Sequence, residues 1–142
     1  MKKKRWIYLL LPLVTLILEA LPYGAVLNFI RPAEDGTKGN FRELYSYFDL
    51  TPFGWANFAP FITAIITCIV FLLLLAYCFT GKKNLAIKAK NILYVCVVFS
   101  FGPLVAGIRY FSFVGLLISL SLMAELIVLH FTLKTPKKED AE

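Results

Sequence analysis

Apolar residues fall along this chain in four long runs, at about 6–29, 56–79, 92–108 and 111–133, separated by short polar stretches. A helix rising 1.5 Å per residue needs ~17–25 apolar residues to cross a bilayer, and each run meets that length. The pattern predicts an all-α integral membrane fold, an antiparallel bundle of four transmembrane helices. Between the runs lie an outer loop at 30–55, an inner loop at 80–91 and a tail at 134–142, so residues 1–142 form one membrane domain.

The outer loop changes character along its length. Arg31 to Gly39 reads as solvated turn, with Arg-Pro, Glu-Asp-Gly and Lys-Gly in succession. Beyond it, Phe41, Leu44, Tyr45 and Phe48 recur at i, i+3, i+4 and i+7, the spacing that collects side chains on one helical face. Asn40 before the run and Glu43 three residues on resemble a capping box. A short amphipathic helix over 41–49 is expected, lying on the outer membrane surface or over the bundle. Thr51 and Pro52 suit an N-cap and first turn for the second span, with Phe53, Trp55 and Phe58 as its interfacial aromatic belt. Pro60 in the second span and Pro103 in the third remove amide donors and predict kinks.

Composition narrows the class further. A chain that is 59% hydrophobic and 17% charged, with a mean hydropathy of +0.73, has lipid as the solvent for most of its surface. The net charge of +6 does not mark a nucleic-acid binder, because the basic residues cluster at the ends of the apolar runs, where anionic headgroups lie. Lys2, Lys3, Lys4 and Arg5 precede the first run, Lys82, Lys83, Lys88 and Lys90 fill the inner loop, and Lys134, Lys137 and Lys138 follow the last. The positive-inside rule places all three groups, and so both termini, in the cytoplasm. Compactness and a basic N-terminal anchor suggest the plasma (inner) membrane. The first run reads as an uncleaved signal anchor, since Leu18-Glu19-Ala20 lacks the small-x-small pattern of a cleavage site.

Candidate chemistry is sparse. Glu19, about 20 Å along the first helix, falls in the outer half of the bilayer, and Glu125, about 21 Å along the fourth, in the inner half. A charge at mid-membrane costs ~2.5–3.5 kcal/mol, so each is expected to face the bundle interior, to be protonated, or to have a partner. Their different depths argue against a direct pair. Arg109, Thr63 and Thr67 are the candidate partners of Glu19, and His130 that of Glu125. Glu19 is read either as a proton or cation site in a transport path or as a hydrogen-bond anchor, and Glu125 as an anchor. Pro22 and Gly24 could open the backbone beside Glu19. Cys68, Cys78 and Cys96 all lie within the runs without a CxxC pair and read as small packing residues. Gly102 and Ala106, and Gly115 and Ser119, are small-xxx-small pairs that let helices approach closely.

A four-span chain with an acidic residue in its first span looks like the small multidrug resistance transporters, which differ in their short loops and weak charge bias. A long first and short second outer loop is similar to the plan of claudin-like tetraspans, whose outer cysteine pair has no counterpart here. No residue role is carried over from either. There is no GxSxG and no His/Asp/Glu cluster, so no enzyme, cofactor or metal is expected. The expected function is that of an interaction or accessory protein, contacting a membrane-protein partner or a second copy through Phe41, Leu44, Tyr45, Phe48, Phe53 and Trp55. The alternative is a small oligomeric transporter or channel using Glu19.

Overall fold

The computed structural model describes residues 5–32, 36, 38–49 and 55–134. The Lys2 to Lys4 cluster, Thr51, Pro52, Phe53 and the tail from 135 onward lie outside them. The chain is mostly helical. A 3-10 turn, Trp6–Leu9, leads into α1, Leu10–Ala20; two strands follow, β1 at Ala25–Pro32 and β2 at Lys38–Tyr45. Then come α2, Trp55–Thr80, α3, Lys83–Ser100, the short α4, Gly102–Ala106, a 3-10 turn at Ile108–Tyr110, and α5, Phe113–Lys134.

Among the described residues, three helical stretches are long and apolar enough to cross a membrane: Phe58–Thr80, Lys83–Ala106 and Phe113–Lys134. Only 33%, 28% and 33% of their apolar windows are buried inside the chain, so most of their apolar surface faces outward. Ile65, Leu72, Val95, Val98, Leu120, Ile127 and Phe131 form that outward surface. In water it would be a large aggregation-prone patch; facing acyl chains it needs no cover. Inside, Val70, Leu74, Ala89, Leu93, Cys96, Ile118, Leu122 and Leu129 make the shared core of α2, α3 and α5.

The first apolar run does not stay helical to residue 29. Helix Trp6–Ala20 is shorter than the other three, and Leu21 turns extended with ψ 139°. Pro22 is the cause: its ring disfavours helical backbone at the residue before it and it has no amide to continue the ladder. The segment that follows, in which Val26, Phe29 and Ile30 favour extended backbone, then pairs as a strand.

The amphipathic helix expected over 41–49 is not formed. β2 occupies Lys38–Tyr45 and pairs antiparallel with β1 in a register running from Ala25 opposite Tyr45 to Pro32 opposite Lys38. In a strand, alternate side chains point to opposite faces, so Phe41 and Tyr45 fall on one side and Leu44 on the other, dividing the face expected of a helix. Nor does the inner loop extend to 91. Gly81, at φ +70°, takes the left-handed conformation that ends α2, and its amide donates to Tyr77 O at 2.8 Å. After Lys82 the chain re-enters helix at once, because Lys83 to Lys90 is dominated by strong helix formers. Pro60 sits inside α2 without interrupting it, whereas Gly102 and Pro103 split the third run, ending α3 at Ser100 and starting α4.

Candidate functional site

Hydroxyl and carboxyl side chains gather along the inner faces of α1, α2, α3 and α5. Thr15, Glu19, Thr63, Thr67, Ser100 and Ser119 are fully buried, and Glu125 retains 2% exposure. Such a string of buried polar groups is costly in an apolar interior unless each finds a partner. Most do. Thr67 Oγ1 lies 2.8 Å from Glu19 Oε1, to which it donates, and 2.9 Å from Thr63 O. Cys96 Sγ is 3.5 Å from Thr67 Oγ1, and Ser119 Oγ donates to Ser100 O at 3.3 Å. Thr15 Oγ1 and Ser121 Oγ are 2.7 Å apart, tying α1 to α5.

Three oxygens are left over. Glu19 Oε2 and both carboxylate oxygens of Glu125 are buried without a hydrogen-bond partner among the described residues. Of the partners expected for Glu19, Thr67 is found; Thr63 contributes only its carbonyl to the Thr67 hydroxyl, and its own hydroxyl donates to Ala59 O. Arg109 is exposed in the 3-10 turn after α4. His130 lies 3.1 Å from Tyr94 Oη through Nδ1 rather than serving Glu125. As expected from their depths, Glu19 and Glu125 form no direct pair: the partnered oxygen of Glu19 takes the Thr67 hydroxyl, and neither oxygen of Glu125 has a partner among the described residues.

The paired strands are seated on this polar seam. The carbonyl of Glu19, in the last turn of α1, accepts from Ser46 Oγ at 2.9 Å and from the Tyr47 amide at 3.0 Å, so the turn that follows β2 caps the helix. Tyr47 is 1% exposed, and its ring fills the space where a side chain on Gly24 would lie: a Cβ there would meet Tyr47 Cδ1 at 2.8 Å. Burial pushes the Tyr47 phenol well above the usual tyrosine range, with Glu19 and then Cys96 acting in the same direction. Ser112 completes the joint. Its hydroxyl donates to Gly24 O and accepts the Gly115 amide at 2.8 Å, which makes it the N-cap of α5.

Outside the joint, Phe41, Leu44 and Phe48 are exposed and Tyr45 is half-buried, its hydroxyl donating to the Glu43 carboxylate. Trp55 opens α2, while Phe53 lies outside the described residues. Arg42 and Leu44 line an open pocket of about 330 Å³ with Tyr23, Ser112, Phe113 and Val114.

Sequence reading missed Tyr47, Ser46, Ser112 and Gly24 as the joint. The available signals were small: a Pro-x-Gly break after α1 and a serine three residues before Gly115. Comparison with protein-family models, curated proteins and solved structures finds no match.

Proposed function

We propose that this chain is a non-enzymatic four-span membrane protein that acts as an interaction or accessory protein, docking a membrane-protein partner on its paired strands. In this reading the helices form an antiparallel bundle in the plasma membrane, both termini are cytoplasmic, and the strands stand on the outer side. Helix Trp6–Ala20 serves as the first span. Its 15 residues rise roughly 22 Å against a ~30 Å hydrocarbon core, a shortfall that local thinning and the apolar start of β1 accommodate.

The observation that carries the reading is how the two strands are held. Their base is fixed to the helices through buried Ala25, Val26, Leu27, Ser46 and Tyr47, while Tyr23, Phe41, Leu44 and Phe48 remain exposed, Phe41 and Leu44 on opposite faces of the ribbon. A rigid base with exposed aromatic and aliphatic side chains presents a preorganised surface, which lowers the ordering cost of association. Aromatic side chains such as Tyr23, Phe41 and Phe48 are of the type enriched in the cores of protein interfaces.

Site-specific photocrosslinking in cells tests it. A benzophenone side chain at Phe41, Leu44 or Phe48 is expected to give a discrete protein adduct, whereas the same probe at the outward-facing Val98 or Ile127 gives lipid adducts. An adduct at twice the mass of the chain identifies the partner as a second copy. Indistinguishable, diffuse products from both sets of positions would overturn the proposal.

A further inference from the structure

Two carboxyl groups from different helices converge in the interior, and nothing in the interaction reading uses them. Gly24 meets Ser112 at one end of the α1–α5 seam and Thr15 meets Ser121 further along it, so the two helices run in opposite directions there. Glu19 is one turn beyond the Thr15–Ser121 level on one side and Glu125 one turn beyond it on the other, which separates their Cα atoms by roughly 12 Å of helical rise. Helical side chains lean toward the N-terminus of their own helix. In antiparallel neighbours, that lean points the two glutamates toward each other. The influence of Glu19 on Glu125 agrees with this placement, as does that of both glutamates on Cys96 of α3.

Three of the four carboxyl oxygens have no donor, although Glu19 is fully buried and Glu125 nearly so. The titratable groups packed around them are Tyr47 from the strand end, Cys68 from α2 and Cys96 from α3. None of these brings a positive charge.

We propose that Glu19 and Glu125 together form an intramembrane proton-binding site. The ligand is a proton because the donor set suits nothing larger. A hard metal cation takes about six oxygens, the two carboxyl groups bring four, and among the described residues no three His, Cys, Asp or Glu side chains gather in a group that could hold a metal ion. A proton needs one oxygen lone pair. It adds to a carboxylate oxygen, forms an O–H bond and cancels the buried charge; release returns the bonding electrons to the oxygen and restores the carboxylate. Because the two groups interact, they take up protons as a pair and not as independent acids.

Infrared spectroscopy of the full chain in nanodiscs, titrated with acid and base in H₂O and D₂O, tests the site. A carboxylic-acid C=O band is expected at neutral pH, shifting in D₂O. Glu19→Gln and Glu125→Gln should each remove about half of it, and the acid that remains should no longer titrate where the wild-type pair does. Replacing choline by sodium should leave the wild-type band unchanged. No acid band at neutral pH, loss of the band on adding sodium, or single variants that titrate as the wild type does would each overturn the proposal. The wild-type titration and its sodium arm decide the matter even if a glutamine variant fails to fold.

Discussion

Tyr47→Ala is expected to cost about 3–5 kcal/mol of stability, the range for emptying a large buried aromatic site. Tyr47 is nearly fully buried, and its ring fills the space beside the Cβ-free Gly24. Its amide also satisfies the Glu19 carbonyl, a bond the alanine variant keeps, so the loss reports packing and not capping. Thermal unfolding in detergent, followed by helical circular dichroism, measures it. A double-mutant cycle sharpens the prediction. Gly24→Ala alone places a Cβ 2.8 Å from the Tyr47 ring and should cost about 1–3 kcal/mol; in the Tyr47→Ala background, where the ring is gone, it should cost almost nothing. Additive losses would show that Gly24 and Tyr47 do not share this joint.

Gly102→Val should cost about 1–3 kcal/mol for a different reason. A Cβ on Gly102 would lie 2.6 Å from the Ala59 Cβ, closer than two carbon atoms can pack, so α2 and α4 must separate. Valine gains only a few tenths of a kcal/mol in helix propensity over glycine, too little to offset the clash. Ala59→Gly removes the opposing methyl and should restore most of the stability in the Gly102→Val background. The same thermal measurement checks it, and no rescue by Ala59→Gly would mean that the helices do not cross at this point.

Hydropathy made the apolar runs legible because lipid-facing helices need no pattern beyond sustained apolarity. The runs at α2 and α5 coincide closely with the helices found, Trp55–Thr80 and Phe113–Lys134. The first run misled at its outer end. Continuous apolarity fits a buried strand as well as a helix, and only Pro22 marked where the one gives way to the other. The spacing of Phe41, Leu44, Tyr45 and Phe48 was misread for a related reason. Eight residues rich in aromatics match a helical face by coincidence, while pairing with β1 satisfies their backbone groups across a ladder that local spacing does not reveal.

The candidate site was half legible. Thr67 as the partner of Glu19 could be reasoned from depth, since a threonine on the second span lies near the same level. The convergence of Glu19 with Glu125 could not. Depth counted along each helix places their Cα atoms apart, and the proposed convergence rests on the opposed lean of side chains on antiparallel helices. Seeing that requires knowing that α1 packs on α5, which the Thr15–Ser121 and Gly24–Ser112 contacts establish. Tyr47 was hidden for the same reason, because its burial depends on a strand pair the sequence did not announce.

Cysteine accessibility in intact cells tests the proposed arrangement most directly, because the partner surface exists only if the paired strands stand outside. In a background with Cys68, Cys78 and Cys96 replaced by serine or alanine, single cysteines are introduced at Lys38, at the start of β2, and at Lys83, at the start of α3. A membrane-impermeant maleimide should label position 38 in intact cells and position 83 only after permeabilisation. Labelling of position 83 in intact cells, with position 38 protected until the membrane is opened, would contradict the orientation and the partner-binding role built on it.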